Sequence, residues 1–196
     1  MSSKSSTFRL ALISQSTFKV DFRETPFERR KATQKALNQQ VFRFLRGRWL
    51  IDRQFGGSYC GVFKGVANFV PEPGAARCYL YAEQGELTVG AGQCFHAKQH
   101  YCYRLVGESI EVLKHEESNW VVMHQLDFAL EDGIATASHL HRCGQDDYVT
   151  GYRIDLAGNW EVAYVVQGPK KDYRIDSLYS RCEPNAEATG SARLGG

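Results

Sequence analysis

The run Gly47-Arg-Trp-Leu-Ile-Asp-Arg-Gln54 is where the chain changes period. Before it, Ala36, Leu37, Val41, Phe44 and Leu45 recur at helical spacing, and Gly47 ends that stripe. Within it, Trp49, Ile51 and Arg53 alternate with Leu50, Asp52 and Gln54, as in a strand with two different faces. The two-residue period then persists almost to the C-terminus. It gives ten candidate strands: 49–54, 59–70, 77–89, 93–106, 109–115, 120–128, 134–143, 148–155, 160–167 and 173–182.

The links between them are short and turn-rich, for example Pro71-Glu-Pro-Gly74, Glu131-Asp-Gly133 and Gly168-Pro-Lys-Lys171. Many antiparallel strands joined in this way predict an up-and-down meander, and a meander of this size removes its edges by curling into a barrel. The predicted fold class is therefore all-β: an antiparallel barrel of about ten strands with an N-terminal helix. That helix spans about 26 to 46, with Thr25 as N-cap, Pro26 in the first turn and Glu28 completing the capping pattern. Residues 1–24 read as a leader, 25–182 as helix plus barrel, and 183–196 as a Gly-, Ala- and Ser-rich tail.

Composition narrows the function classes. The 196 residues carry 24 basic and 22 acidic side chains, which gives no drive toward nucleic acid. No apolar run is long enough for a membrane helix. The six cysteines form no CxxC pair and, without a secretory signal, read as reduced thiols of a cytoplasmic protein. The first 20 residues contain no acid and also resemble a mitochondrial transit peptide.

Gly47-x-Trp49 opens the first strand and Arg181 stands near the end of the last. This resembles the calycin group, which includes the lipocalins, where such a tryptophan packs against a basic residue of the last strand. Further motifs are Leu45-Arg-Gly-Arg-Trp49, Gly61-x-Phe63-x-Gly65, Tyr81-x-Glu83-x-Gly85, His124-x-Leu-Asp127, His141-x-Cys143-x-x-x-Asp147-Tyr148 and Gly168-Pro-Lys-Lys-Asp-Tyr173 with Tyr179. Together they resemble a domain-of-unknown-function family with a lipocalin-like barrel, over residues 45–182. The resemblance implies a fold and no reaction.

The stretch from His139 to Tyr148 nominates a site. On a strand, His139, His141 and Cys143 share one face. His141 could serve as general base with Asp147 as its orienter and Tyr148 as proton donor. The imidazoles and thiolate could instead hold a metal or, through His124 or His141, a haem. Cys143 could be a nucleophile, or the whole set could be structural. The spacing matches no standard zinc signature, so no metal ligand is assigned and the cofactor is left unknown. His124 belongs to the preceding strand, which hairpin pairing would set beside 134–143.

Lys171 and Arg174 place positive charge at one barrel end. Trp49 and Tyr81 are interior candidates among many aromatics, whose hydroxyls predict a polar-aromatic interior. An inward Arg53 needs either a glutamate such as Glu83 or an acidic ligand. The leading expectation is a small-molecule binder for a polar-aromatic or anionic ligand. His124, His141, Cys143, Asp147 and Tyr148 would orient the ligand, with Lys171 or Arg174 at the rim. The alternatives are an isomerase, cyclase or hydrolase using His141, Asp147 and Tyr148, haem or metal binding, and an interaction module built on the basic helix. No nucleic-acid or membrane partner is expected, and the oligomeric state is left open.

Overall fold

The computed structural model describes residues 26–182. The expected leader, the cap at Thr25 and the C-terminal tail lie outside the described residues. Helix α1 (Pro26–Leu45) precedes eleven strands. These are β1 (Gly47–Gly57), β2 (Gly61–Pro71), β3 (Cys78–Val89), β4 (Gln93–Val106), β5 (Ser109–Glu116), β6 (Asn119–Leu126), β7 (Ala129–Glu131), β8 (Ile134–Cys143), β9 (Asp146–Asp155), β10 (Trp160–Gly168) and β11 (Lys171–Arg181). They form one curled antiparallel sheet in the hydrogen-bonded order β6-β5-β4-β3-β2-β1-β11-β10-β9-β8-β7. The all-β, calycin-like barrel read from the sequence is thus the observed architecture.

The strand count differs by one, because Ala129–Glu131 pairs with β8 instead of serving only as a turn. The expected hairpin between β6 and β8 does not form. The two strands lie side by side along a seam without a shared ladder, and β6 bonds only to β5.

Helix α1 fastens the β6–β7 link to the β4–β5 turn. Asn38 is fully buried, accepts from the Phe128 amide at 2.9 Å and donates to the Glu108 carbonyl. Gln34 donates to the Phe128 carbonyl. Backbone groups left over where the ladder stops are thereby satisfied by amide side chains. Replacing Asn38 by Ala orphans two buried backbone groups and is expected to cost about 2–4 kcal/mol in urea unfolding. A loss below about 1 kcal/mol would contradict this account.

The seal between helix and barrel is the one anticipated from Gly47-x-Trp49. Arg181 lies opposite Trp49 in the ladder, with its guanidinium 3.8 Å from the indole centroid. It donates to the Arg46 carbonyl at 2.7 Å and to the Phe44 carbonyl, so it caps the negative end of α1. The Trp49 indole donates to the Leu45 carbonyl at 2.8 Å. On the helix, Leu37, Val41, Phe42 and Leu45 are buried, and Phe42 stacks on Tyr79 at 4.3 Å. The sequence stripe omitted Phe42 and included Ala36, which is exposed.

Two of the family-like motifs have a steric basis. Gly65 and Gly85 face each other across β2 and β3. A Cβ on Gly85 would lie 2.2 Å from the Lys64 carbonyl oxygen, and one on Gly65 would lie 2.4 Å from that of Gln84. Only glycine permits this close approach, which bends the sheet toward closure.

Candidate functional site

The interior has two zones. At the helix end it is filled by Trp49, Phe69, Ile110, Leu126, Phe128 and Trp160, and Trp160 stacks on Tyr179 at 3.7 Å. At the other end is a cavity of about 260 Å³. Eight of the ten tyrosines line it: Tyr81, Tyr101, Tyr103, Tyr148, Tyr152, Tyr164, Tyr173 and Tyr179. Each reaches the cavity because it occupies an inward position of a two-period strand. Burial raises Tyr81, Tyr103, Tyr152, Tyr164 and Tyr179 above the ordinary phenol value, so they enter as neutral hydrogen-bonding groups.

An ionic floor supports this wall. Arg53 forks onto Glu83 with two bonds of 2.7 Å and also donates to Ser177 at 2.8 Å and Tyr179 at 3.0 Å. Tyr81 donates to Glu83 as well. The inward arginine thus takes the glutamate partner that the sequence left open.

His124 stands on the wall by alternation with Leu126, and a bulge sets Met123 beside it. Val112 opposes His124, but Leu113 opposes Val122, so Met123 is the extra residue and both Met123 and His124 line the cavity. Trp120 and Val122, which unbroken alternation would put on the His124 face, are about 40% exposed instead. His124 is 1% exposed, its Nε2 shares a hydrogen bond with the Tyr164 hydroxyl at 3.2 Å, and its Nδ1 has no partner. Burial, followed by the influence of His139 and His141, holds its pKa down to about 4. Its ring meets that of His139 across the seam at 5.5 Å.

Of the residues nominated from sequence, His124, His141, Cys143, Tyr148 and Tyr81 come together on the cavity wall. Four others are placed differently. Trp49 is walled into the helix-end core. Arg174 lies outside the barrel and forks onto Asp176 at 2.7 Å. Asp147 is paired in the ladder with Arg142, on the face opposite His141, and accepts from that arginine at 3.0 Å. It therefore cannot orient His141. Lys171 does not line the cavity but stands behind the wall residue Tyr148: it bonds Asp146 at 2.7 Å and donates to the Tyr148 hydroxyl at 2.7 Å.

Asp146, and not the nominated Asp147, is thus the carboxylate tied to the site. A Cβ on Gly168 would lie 1.9 Å from its Oδ1, which explains the glycine that opens the Gly-Pro-Lys-Lys turn. Among the described residues, three ligand atoms come within 4.8 Å of one another only at Glu72, Cys78 and Cys102, outside the barrel.

Comparison with known proteins adds the lineage. A model described as "Family of unknown function (DUF6314)" matches residues 45–181. The chain belongs to this family. The DUF6314 match begins at the last residue of α1, so Asn38 and Gln34 precede it. No curated protein matches the chain. Among solved structures, the barrel is similar to the crystal structure of Rv2717c from M. tuberculosis, with a TM-score of 0.51 and 12% identity over 74% of this chain and 97% of that one. That likeness supports the fold alone. The structure of EF1p2_mFAP2b bound to DFHBI is a more distant match, with a TM-score of 0.34 and 10% identity over 74% of this chain and 99% of that one. No helix among the described residues is long and apolar enough to cross a membrane.

Proposed function

We propose that this DUF6314 barrel binds one small, neutral, polar-aromatic molecule in its tyrosine-lined cavity. The observation that carries the reading is unused hydrogen-bonding capacity in the wall. His124 Nδ1 is buried without a partner, and His124 lines the cavity. Such an atom costs about 1–3 kcal/mol when left unmade, and a complementary ligand group recovers that cost. The volume lies near the lower end of cavities that take small molecules. Tyrosine faces and edges suit an aromatic ring.

Charge separates the neutral ligand from the anionic one. The lining cations are Arg53 and Lys114; Arg53 holds Glu83, and Lys114 holds Glu116 at 2.6 Å. Lys171, behind Tyr148, holds Asp146. No cation of this wall is spare for a carboxylate or phosphate.

Thermal unfolding with neutral phenols and indoles, compared with matched aromatic carboxylates, tests the reading. A neutral ligand is expected to raise Tm by about 5–10 °C at roughly a hundredfold excess over Kd. His124→Gln is expected to weaken that response. Stabilisation by carboxylates alone would sink the neutral assignment. Failure of both classes, with nothing retained in native mass spectrometry, would sink binding altogether.

A second reading, acid/base chemistry at the cavity mouth, is favoured by one contact. The Lys171 ammonium on the Tyr148 oxygen would steady the phenolate formed if Tyr148 gave a proton to a bound molecule. In this reading Lys171 and Asp146 take the place expected for Asp147, and His141 is the neighbouring base. Turnover that disappears in Tyr148→Phe while binding persists would distinguish an enzyme from a carrier.

A further inference from the structure

We infer that Cys78 and Cys102 form a dithiol that closes into a cross-strand disulfide under peroxide. The site lies outside the cavity and is independent of the function proposed above. Cys78 is on β3 and Cys102 on β4; in the ladder Cys78 pairs with Arg104, and Leu80 pairs with Cys102, so the two cysteines are diagonal neighbours. Their sulfurs are 2.7 Å apart, and the residues are 7% and 6% exposed. They form a small buried cluster with Leu113, against which Ala75 of the 72–77 turn packs. The other four cysteines, Cys60, Cys94, Cys143 and Cys182, are exposed or only partly covered.

Geometry distinguishes a disulfide from a metal site. A disulfide bond is about 2.05 Å long, so closure requires the sulfurs to move together by less than about 1 Å. Two thiolates on a tetrahedral zinc, each about 2.3 Å from the ion, would stand about 3.8 Å apart. The pair would have to open to admit zinc, whereas it has only to tighten to form the bond.

The chemistry balances with hydrogen peroxide as oxidant. One sulfur attacks a peroxide oxygen, the O–O bond breaks, and a sulfenic acid and one water result. The second sulfur then attacks the first, the S–O bond breaks, and the S–S bond forms as a second water leaves. The two thiols are oxidised and the peroxide is reduced, and the thiol protons end in the two waters. Burial raises both thiols above the ordinary value, so the reacting sulfur must lose its proton at the site. The Glu72 carboxylate, within 4.8 Å of both sulfurs, also disfavours the thiolate, so it restrains closure.

The full chain treated with hydrogen peroxide should lose the mass of two hydrogens, with Cys78 and Cys102 linked in a peptide map. Because the bond closes a 24-residue separation, Tm should rise by about 5–10 °C and return after reduction. Cys102→Ala should remain folded and show neither change, and Glu72→Gln should speed closure several-fold. The inference is overturned if Cys78 and Cys102 remain separately alkylated under peroxide that oxidises Cys60 and Cys94. Stoichiometric zinc in the purified protein, shielding both thiols until a chelator removes it, would overturn it equally.

Discussion

Glu83→Ala is expected to lower the free energy of unfolding by about 3–5 kcal/mol, one of the two largest effects foreseen for a single substitution in this chain. Glu83 is 6% exposed and takes both forks of the Arg53 guanidinium. Removing it leaves a buried cation without a counter-charge and takes the acceptor from the Tyr81 hydroxyl. The cost comes from the stranded charge, because a desolvated ion pair adds little net stability of its own. Arg53→Met combined with Glu83→Leu should therefore recover most of the loss. Urea unfolding of the single and double variants checks both statements. A single variant within about 1 kcal/mol of the parent would show that water reaches Arg53 freely. The double variant also guards against a single variant too unstable to purify.

The second large effect is a dependence on pH. His124 titrates near 4 in the folded chain and near its ordinary value of about 6.5 when unfolded. Between these values the unfolded chain binds more protons, so stability is complete above about pH 6.5 and is lost as pH falls toward 4. The loss is on the order of 3 kcal/mol. The titratable groups facing the imidazole are His139 and His141 on β8 and Tyr152 and Tyr164 on β9 and β10; the tyrosines stay neutral throughout this range. Urea midpoints at pH 7.5 and 4.5 should therefore converge in His124→Gln. If the variant loses as much stability as the parent between those values, the acid sensitivity lies elsewhere.

Much of this architecture was legible in the residues. Strict alternation from Trp49 onward gave the strands, and Gly47-x-Trp49 with Arg181 gave the closure, because both rest on local periodicity and a short motif. The shared inward face of His139, His141 and Cys143 followed from the same two-residue rule. What alternation could not reveal is where it breaks. The bulge at Met123 brings that residue to the cavity and turns Trp120 outward, and no residue type announces a bulge.

The choice between Asp146 and Asp147 depended on the register of a tight turn, which shifts a side chain to the opposite face with a slip of one residue. Asn38 was unremarked because a polar residue on a helix usually faces water. Its role appears only when Phe128 and Glu108 are brought to it from distant parts of the chain. Cys78 and Cys102, scattered in sequence, meet through a hairpin register that composition does not encode.

The unladdered seam gives the barrel wall a direction of weakness. Everywhere else around the circumference, parting two strands means breaking a row of backbone hydrogen bonds. Between β6 and β8 no ladder forms, and the His124 ring meets that of His139 across the gap. Parting this one joint leaves every strand pairing whole. The residue that stands at the joint, His124, is also the one that acid would charge.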